Sequence, residues 1–371
     1  MLPSARWRAA GAAAVALLSS FAQGQTWTSC NPLHTTCPAN PALGMTIDVD
    51  FTKGEVGTFV GSGGTPTYGD GGVSFTVSKS GDAPQLNSVF YIMFGRVEVT
   101  MKAAPGNGIV SSLVLQSDDL DEVDFEWLGH DSSTVQTNYF SKGQTTSYNR
   151  GQFNPAPNNQ AEYITYTIDW TSERIVWYVG GTAVRTLTMS DAAGEYPQTP
   201  MQVKFGSWSG GDPANSPGTI EWAHGPTDYS KGPFTMLVKS ATVSDYSTGK
   251  SYSYSDNSGT WQSIRSEGGE INGNLGKAGQ VTVTATAPAA TGSSPSVPAG
   301  GIGKGSTATQ TGWPWEGTGA TKSNPVPDGW IITPEGKIVP SSSNAIKPPN
   351  AFLLSGPLVL GILALAGGRR P

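Results

Sequence analysis

The sequence is poor in cysteine, in histidine and in charge. Its 371 residues include two Cys and three His, and 13% of them are charged, against about 25% in an average soluble protein. The 22 basic residues are outnumbered by 28 acidic ones and form no cluster, which argues against the basic surface that nucleic-acid binding requires. Because the Cys and His residues show no metal-ligand spacing, we predict no metal and no cofactor.

Long amphipathic helices are also missing, which excludes coiled coils and helix bundles. The chain is instead rich in Gly (48), Pro (27) and Trp (11). Short β-type runs separated by Gly, Pro, Asp and Asn predict an all-β domain, either a sandwich or a jelly roll. The predicted strands are Thr46–Phe51, Val73–Val77, Val89–Met93, Arg96–Met101, Ile109–Leu115, Tyr163–Trp170, Ile175–Val179, Met201–Phe205 and Met236–Val243.

The first 24 residues have the order of a secretory signal peptide. Arg6 and Arg8 precede an apolar stretch at Ala9–Leu18, and a small-x-small cleavage site ends at Gly24. The alternative is a buried hydrophobic helix, which a ten-residue Ala-rich run at a chain start rarely forms. We therefore predict a signal peptide at 1–24.

The other end has the order of a GPI-attachment signal. Small residues at Ser341–Ser343 are followed by a polar spacer and by an apolar run at Ala351–Ala366. We predict a GPI-attachment propeptide at 344–371, and a tail anchor with a basic stop at Arg369–Arg370 is the alternative. Either one places the mature protein outside the cell, tethered to a surface.

Between these ends the composition divides the chain into three parts. Residues 25–247 contain the strand-like runs and form the predicted folded domain. Residues 273–343 are dominated by Ser, Thr, Pro, Ala and Gly, and such a segment buries too little apolar surface to offset its ordering entropy. We expect it to be a disordered stalk. Residues 248–272 could extend the domain or begin the stalk.

The two cysteines, Cys30 and Cys37, lie just after the predicted cleavage site. An isolated pair in a secreted chain is expected to form a disulfide. Its loop is small, so it should hold the N-terminal segment and add little to global stability.

The segment richest in chemical information is the acidic run at 121–129. On a β-strand, Glu122, Asp124 and Glu126 point to one face, and the apolar residues between them point to the other. Three carboxylates on one face repel one another. Side chains of the two Glu residues that lean toward each other bring their carboxyl groups to roughly 5 Å, the separation used by retaining glycosidases. One Glu would attack the anomeric carbon, and the other would serve as acid and then as base.

Two simpler explanations of this run are a solvated edge strand and a Ca²⁺ site. An edge strand favours Lys and does not need the large apolar residues Phe125 and Trp127 behind it. A calcium loop needs Gly and a less regular ligand spacing. Glycosidase chemistry is therefore the interpretation that the residues favour.

The run Glu122–Glu126 resembles the E-x-D-x-E signature of glycoside hydrolase family 16. Further segments are similar to the fungal Crh group of cell-wall transglycosylases in that family, and together the likeness covers residues 25–247. These segments are Cys30–Pro38, Trp208–Pro213, Gly218–Trp222 and Asp228–Phe234.

The resemblance implies a β-jelly-roll sandwich of two antiparallel sheets with a concave sugar-binding cleft. It implies that Glu122 is the nucleophile, Asp124 the assisting carboxylate and Glu126 the acid/base. From strand parity and this likeness, the expected substrate-binding residues are Glu98, Gln136, Asn138, Phe140, Trp208 and Trp222. For Trp208 and Trp222, ordinary core packing is the alternative to a surface that binds sugar rings.

The leading functional hypothesis is a GPI-anchored retaining transglycosylase at the outer face of the plasma membrane or in the cell wall. It would cleave a chitin-type donor and transfer it to β-glucan or chitin, acting as a monomer. The alternative is a β-glucanase or chitinase-like hydrolase with the same residues. A non-catalytic wall lectin or structural mannoprotein is a third hypothesis, which the three crowded carboxylates argue against.

Overall fold

The computed structural model describes residues 28–144 and 149–277, and three short strands further along at 282–285, 330–332 and 338–340. The predicted signal peptide and the predicted GPI-attachment segment lie outside these ranges. Among the residues described, no helix has the length and apolar character needed to cross a membrane.

The all-β prediction is confirmed. Apart from three single-turn 3₁₀ helices, the described chain contains one short helix, α1 (Pro217–Trp222), and β-strands. The strands are β1 (Asn40–Pro41), β2 (Thr46–Asp50), β3 (Phe59–Ser62), β4 (Thr67–Gly69), β5 (Gly72–Val77), β6 (Gln85–Ile92), β7 (Gly95–Lys102), β8 (Ile109–Ser117), β9 (Glu122–Leu128), β10 (Thr134–Phe140), β11 (Gln152–Pro155), β12 (Ile164–Trp170), β13 (Arg174–Val179), β14 (Thr182–Thr188), β15 (Met201–Ser209), β16 (Phe234–Asp245), β17 (Ser251–Tyr254), β18 (Ile264–Ser266), β19 (Thr282–Ala285), β20 (Trp330–Ile332) and β21 (Ile338–Pro340).

Two large sheets make up the sandwich. One has seven strands in the order β11-β10-β9-β8-β15-β6-β3. The other has nine strands, with β14-β13-β12-β7-β16-β2-β19 in a row and β5 and β4 joined to it through β16. The pairings within the seven-stranded sheet are antiparallel. This is the two-sheet architecture that the sequence predicted.

The core lies between the two sheets because apolar residues occupy alternate positions of their strands. In β7, for example, Val97 and Val99 are fully buried, whereas their neighbours Arg96 and Glu98 are partly exposed. Phe125 and Trp127 are fully buried and stack with ring centroids 5.7 Å apart, as their position behind the acidic residues predicted.

Residues 248–272, whose place the sequence left open, are folded onto the domain. Strand β17 pairs with β1 on one side and with β18 on the other. The junction is fixed by Asp245, which is completely buried. Its carboxylate accepts hydrogen bonds from the backbone N–H groups of Gly44 (2.9 Å), Met93 (3.1 Å) and Ser247 (3.0 Å) and from the Tyr252 hydroxyl (2.6 Å).

Three short strands fall within 273–343, where we expected a disordered stalk. Strand β19 runs parallel to β2 and pairs with it, and β20 pairs antiparallel with β21. Their Thr, Val and Ile residues favour extended backbone, which a composition averaged over the whole segment conceals. The rest of the expected stalk lies outside the described residues.

The predicted disulfide between Cys30 and Cys37 is present, with its sulfur atoms 2.02 Å apart. It closes a loop of the N-terminal segment. That loop is tied to the C-terminal extension by a hydrogen bond from the Asn257 side-chain amide to the Pro32 carbonyl oxygen.

Candidate active site

The acidic residues Glu122, Asp124 and Glu126 lie on one face of β9, near the middle of the seven-stranded sheet. This face is the outer one, because the alternate residues Val123, Phe125 and Trp127 fill the core. Strand alternation alone therefore turns all three carboxylates away from the core and toward the outer face of the sheet. The grouping that the sequence predicted is present in the fold.

The neighbouring strand β10 brings three predicted binding residues to the same face. Directly opposite residues of antiparallel strands share a face. In this register Phe140 lies opposite Glu122, Asn138 opposite Asp124, and Gln136 opposite Glu126.

Strand β8 lies on the other side of β9 and contributes a hydrogen bond to Glu122. Gln116 is opposite Glu122 in the register, and its side-chain Nε2 donates to Glu122 Oε2 at 2.9 Å. The Oε1 atom of the same amide accepts from Lys204 Nζ of β15 at 2.7 Å. Glu122 is therefore connected through one amide to a cation two strands away.

The surroundings act on the pKa of Glu122 in opposite directions. Burial is the largest effect and leaves the pKa of Glu122 above its ordinary value, whereas the hydrogen bond from Gln116 and the positive charge of Lys204 lower it. A hydrogen bond with Asp124 lowers it further. Three groups thus favour the carboxylate form, which is the form that a nucleophile requires.

Asp124 and Glu126 are placed so that they hold protons. Burial, then the negative charges of Glu126 and Glu122, raise the pKa of Asp124 well above its ordinary value. Burial and the charge of Glu122 raise the pKa of Glu126 to about 8. Within the described residues, no group donates a hydrogen bond to the Glu126 carboxyl. A carboxylic acid that keeps its proton near neutral pH is suited to general acid catalysis.

The turn before β9 is held by two further buried acids, Asp119 and Asp121. The Asp121 carboxylate accepts hydrogen bonds from the backbone N–H of Gln198 at 2.7 Å and from the Thr199 hydroxyl at 2.9 Å. Leu120 between the two acids adopts a positive φ of 67°, a conformation uncommon for a residue with a side chain. These contacts fix the point at which the acidic strand begins.

The Glu126 end of the face is bordered by the two tryptophans that we expected to bind substrate. Trp208 and Trp222 are partly exposed and stack with ring centroids 6.1 Å apart and an interplanar angle of 25°. They pack against Val110 and Leu128. The indole Nε1 of Trp222 donates to Gln136 Oε1 at 3.2 Å. The fold thus brings Trp208, Trp222 and Gln136 together beside Glu126.

One expected binding residue is not brought to this face. Glu98 lies on β7, which belongs to the nine-stranded sheet, and pairs there with residues of β12 and β16. Its carboxylate forms an ion pair with Arg96 at 3.1 Å. Alternation correctly predicted that Glu98 points away from the core. Because β7 belongs to the nine-stranded sheet, however, its outer face lies on the side of the molecule opposite to the acidic residues. The prediction that Glu98 lines the cleft is therefore corrected.

Three residues of the acidic face were not predicted from the sequence. Gln116 and Lys204 occupy non-core positions at or beside predicted strands, so alternation could have identified them as outward-facing. Their link to Glu122 depends on the strand order β9-β8-β15, which the sequence does not reveal. The third residue is Phe153 on β11, which lies opposite Gln136 and is 52% exposed.

Metal-assisted chemistry gains no support from the donor set. The described part of the chain contains no group of three or more His, Cys, Asp or Glu residues arranged to hold a metal ion. The two histidines near the Glu126 end, His130 and His224, stack on each other with ring centroids 3.6 Å apart. The carboxyl groups of β9 themselves are suited to acid, base and nucleophile chemistry.

Comparisons with known proteins agree with this arrangement. Residues 55–224 match the family described as Glycosyl hydrolases family 16. The chain is 59% identical to Crh-like protein 4 of Botryotinia fuckeliana (strain B05.10) over 364 residues, which cover 95% of this chain and 96% of that protein. It is 51% identical to Crh-like protein 4 of Aspergillus fumigatus, over 91% of this chain and 77% of that protein.

A solved structure extends the likeness to three dimensions. The structure described as Crh5 transglycosylase in complex with NAG is 53% identical to this chain, with a TM-score of 0.63. The match covers 64% of this chain and 100% of that one.

Proposed function

We propose a function for this chain on the premise that it belongs to the Crh-like proteins of glycosyl hydrolase family 16. It is accordingly a glycosyl-transferring glycosidase. Beyond that, we propose that it is a retaining transglycosylase of the fungal cell wall. It cleaves a chitin-type β-1,4 donor and passes the glycosyl group to a β-glucan, linked β-1,3 or β-1,6, or to chitin.

The observation that carries this proposal is that the two glutamates on β9 have different hydrogen-bond partners and different effects on their pKa values. Glu122 accepts a hydrogen bond from Gln116, and the charge of Lys204 also favours its ionised form. Glu126 has a pKa raised to about 8 by burial and by Glu122. A pair of carboxyl groups with pKa values pushed apart is the arrangement used for nucleophile and acid in glycoside cleavage.

The reaction follows from these two roles. Glu122 attacks the anomeric carbon while Glu126 protonates the departing glycosidic oxygen, which leaves a glycosyl ester on Glu122. Glu126, now ionised, removes the proton from an acceptor hydroxyl, and that oxygen displaces Glu122. Asp124 holds the nucleophile through their shared hydrogen bond. Two inversions at one carbon leave the anomeric configuration unchanged.

The proposed substrate classes are supported by the side chains beside Glu126 and by one relative. The stacked pair Trp208 and Trp222 offers the aromatic surface against which pyranose rings pack, with Gln136 as a polar group beside it. The Crh5 structure was solved with NAG, the sugar unit of chitin-type chains. We place the enzyme outside the cell, held by a GPI anchor at the plasma membrane or in the wall, because of its predicted terminal signals.

The test uses a chitooligosaccharide donor and a fluorescently labelled β-glucan oligosaccharide as acceptor. We expect labelled products whose mass is that of the acceptor plus donor sugars. Glu122→Gln and Glu126→Gln should abolish them, whereas the matched change at the exposed Glu55, Glu55→Gln, should not. Shortened chitooligosaccharides without labelled hybrids would instead support the alternative, a hydrolase that uses the same residues.

A further inference from the structure

Lys204 occupies an unusual position for a lysine. It lies on β15 with its Nζ directed at the Gln116 side chain, two strands from the acidic residues. Burial lowers the pKa of Lys204, whereas the negative charges of Glu122 and Asp118 raise it. Lysine side chains usually extend into water, whereas the partly exposed Lys204 ends in a hydrogen bond to an amide and lies near two acids.

The hydrogen bonds of Lys204 determine how the Gln116 amide is turned. An ammonium group only donates, so the amide oxygen must face Lys204. The amide nitrogen is then left to face Glu122, to which it donates at 2.9 Å. Rotating the amide by 180° would place NH₂ against ammonium and oxygen against carboxylate, which are two repulsive contacts. The cation therefore fixes the donor that the nucleophile receives.

The resulting chain of contacts acts on one glutamate of the pair. Gln116 and Lys204 both lower the pKa of Glu122. Neither of them contributes to the raised pKa of Glu126, which comes from burial and Glu122. The two contacts thus separate the protonation states of two carboxyl groups that share one strand.

We propose that Lys204 is a positioning residue that acts through Gln116 to orient and ionise Glu122. We call the chain Lys204–Gln116–Glu122 the amide relay. This assignment rests on the proposed function, in which Glu122 is the nucleophile. It adds a residue on a different strand and far along the chain from the acidic signature.

Other charged groups lie near the amide relay and act on the pKa values of its members or of their neighbours. Asp118, in the turn after β8, lies near Lys204 and accepts a hydrogen bond from the Tyr91 hydroxyl at 2.9 Å. Asp124 and Glu126 lie beside Glu122 on β9, and Arg185 of β14 acts on Asp124. The Gln116 oxygen accepts its hydrogen bond from Lys204, so loss of Lys204 removes the cation that orients the amide.

The experiment measures the pH dependence of kcat/KM for transglycosylation in Lys204→Met and Gln116→Met. Glu122 must be ionised to attack, so activity is lost as pH falls through its pKa. Removing the relay raises that pKa, and we expect the acidic limb to move up by about one pH unit, a roughly tenfold loss below it. The alkaline limb, which reports Glu126, should stay in place. General structural damage would lower activity at every pH and move neither limb.

Matched variants test whether Lys204 acts on Glu122 through Gln116. The double variant Lys204→Met with Gln116→Met should move the acidic limb by less than the sum of the two single shifts, because Lys204 acts on Glu122 partly through Gln116. Lys204→Arg keeps the cation and should restore most of the wild-type profile. Lys239→Met, on the outer side of the other sheet, should change nothing. If Lys204→Met proves unfolded by thermal denaturation, Gln116→Met alone carries the test.

Failure of the relay is distinguishable from failure of the proposed function. The glycosyl ester on Glu122 is trapped in Glu126→Gln with a chitooligosaccharyl fluoride and detected by intact mass spectrometry. If the ester forms, and folded Lys204→Met or Gln116→Met shows an unmoved acidic limb, the relay is wrong and the mechanism stands. If no ester forms in Glu126→Gln while the wild type transfers sugar, the proposed covalent mechanism itself is overturned.

Discussion

Replacing Glu122 by Gln should lower the pKa of Glu126. The pKa of Glu126 is about 8, against an ordinary value of 4.5, so it is raised by about 3.5 (8 − 4.5). Burial is the larger cause and the negative charge of Glu122 the smaller one, so removing the charge should take away less than half. The expected pKa in Glu122→Gln is therefore about 7, and it should not fall below about 6.3.

The pKa is read from the side-chain carboxyl carbon of Glu126 in a ¹³C NMR titration, assigned by comparison with Glu126→Gln. A pKa that is raised in the folded state means that the proton is retained up to higher pH, so the acid function is present below about 8 and lost above it. Glu55→Gln, which removes an exposed carboxylate, serves as the control and should leave the value unchanged. An unmoved pKa in Glu122→Gln would refute the coupling between the two carboxyl groups.

Three further predictions concern binding and stability. Trp222→Phe removes the indole N–H that holds the Gln136 amide and part of the aromatic surface offered to a sugar ring. It should lower kcat/KM for transfer several-fold in steady-state assays, and an unchanged value would contradict the binding role. Asp245→Ala removes four hydrogen bonds and should lower the free energy of unfolding by about 4 kcal/mol. We expect the Tm to fall by about 10 °C. A fall of less than about 2 °C would show that residues 248–272 are held by other contacts. Replacing both Cys30 and Cys37 by Ser should raise amide hydrogen exchange in the N-terminal segment and change the Tm by only a few degrees, and a collapse of the Tm would contradict that local role.

The sequence was sufficient for the parts of the fold that depend on one strand at a time. Alternation in β9 correctly separated Glu122 and Glu126 from the buried Phe125, because a side-chain period of two is a property of any extended strand. The same rule placed Glu98 outside the core. It could not say which sheet contains β7, since strand order is decided by contacts between distant parts of the chain.

The features that could not be predicted from the sequence depend on contacts between strands. Gln116 and Lys204 are separated by 88 positions along the chain, yet they share a hydrogen bond because β15 lies beside β8. Residues 248–272 offered no clear pattern of their own and are held through Asp245, which accepts hydrogen bonds from Gly44, Met93, Ser247 and Tyr252, in separate parts of the chain. Neither arrangement has a local signal in the residues that take part.

The most direct test of the central claim is to trap the glycosyl ester on Glu122. A chitooligosaccharyl fluoride needs no acid to release fluoride, so Glu126→Gln can still be glycosylated by it, but lacks the base that activates the acceptor. We expect intact mass spectrometry to show one added glycosyl group, and peptide mapping to place it on Glu122. An adduct on another residue, or no adduct while the wild type transfers sugar normally, would contradict the covalent mechanism.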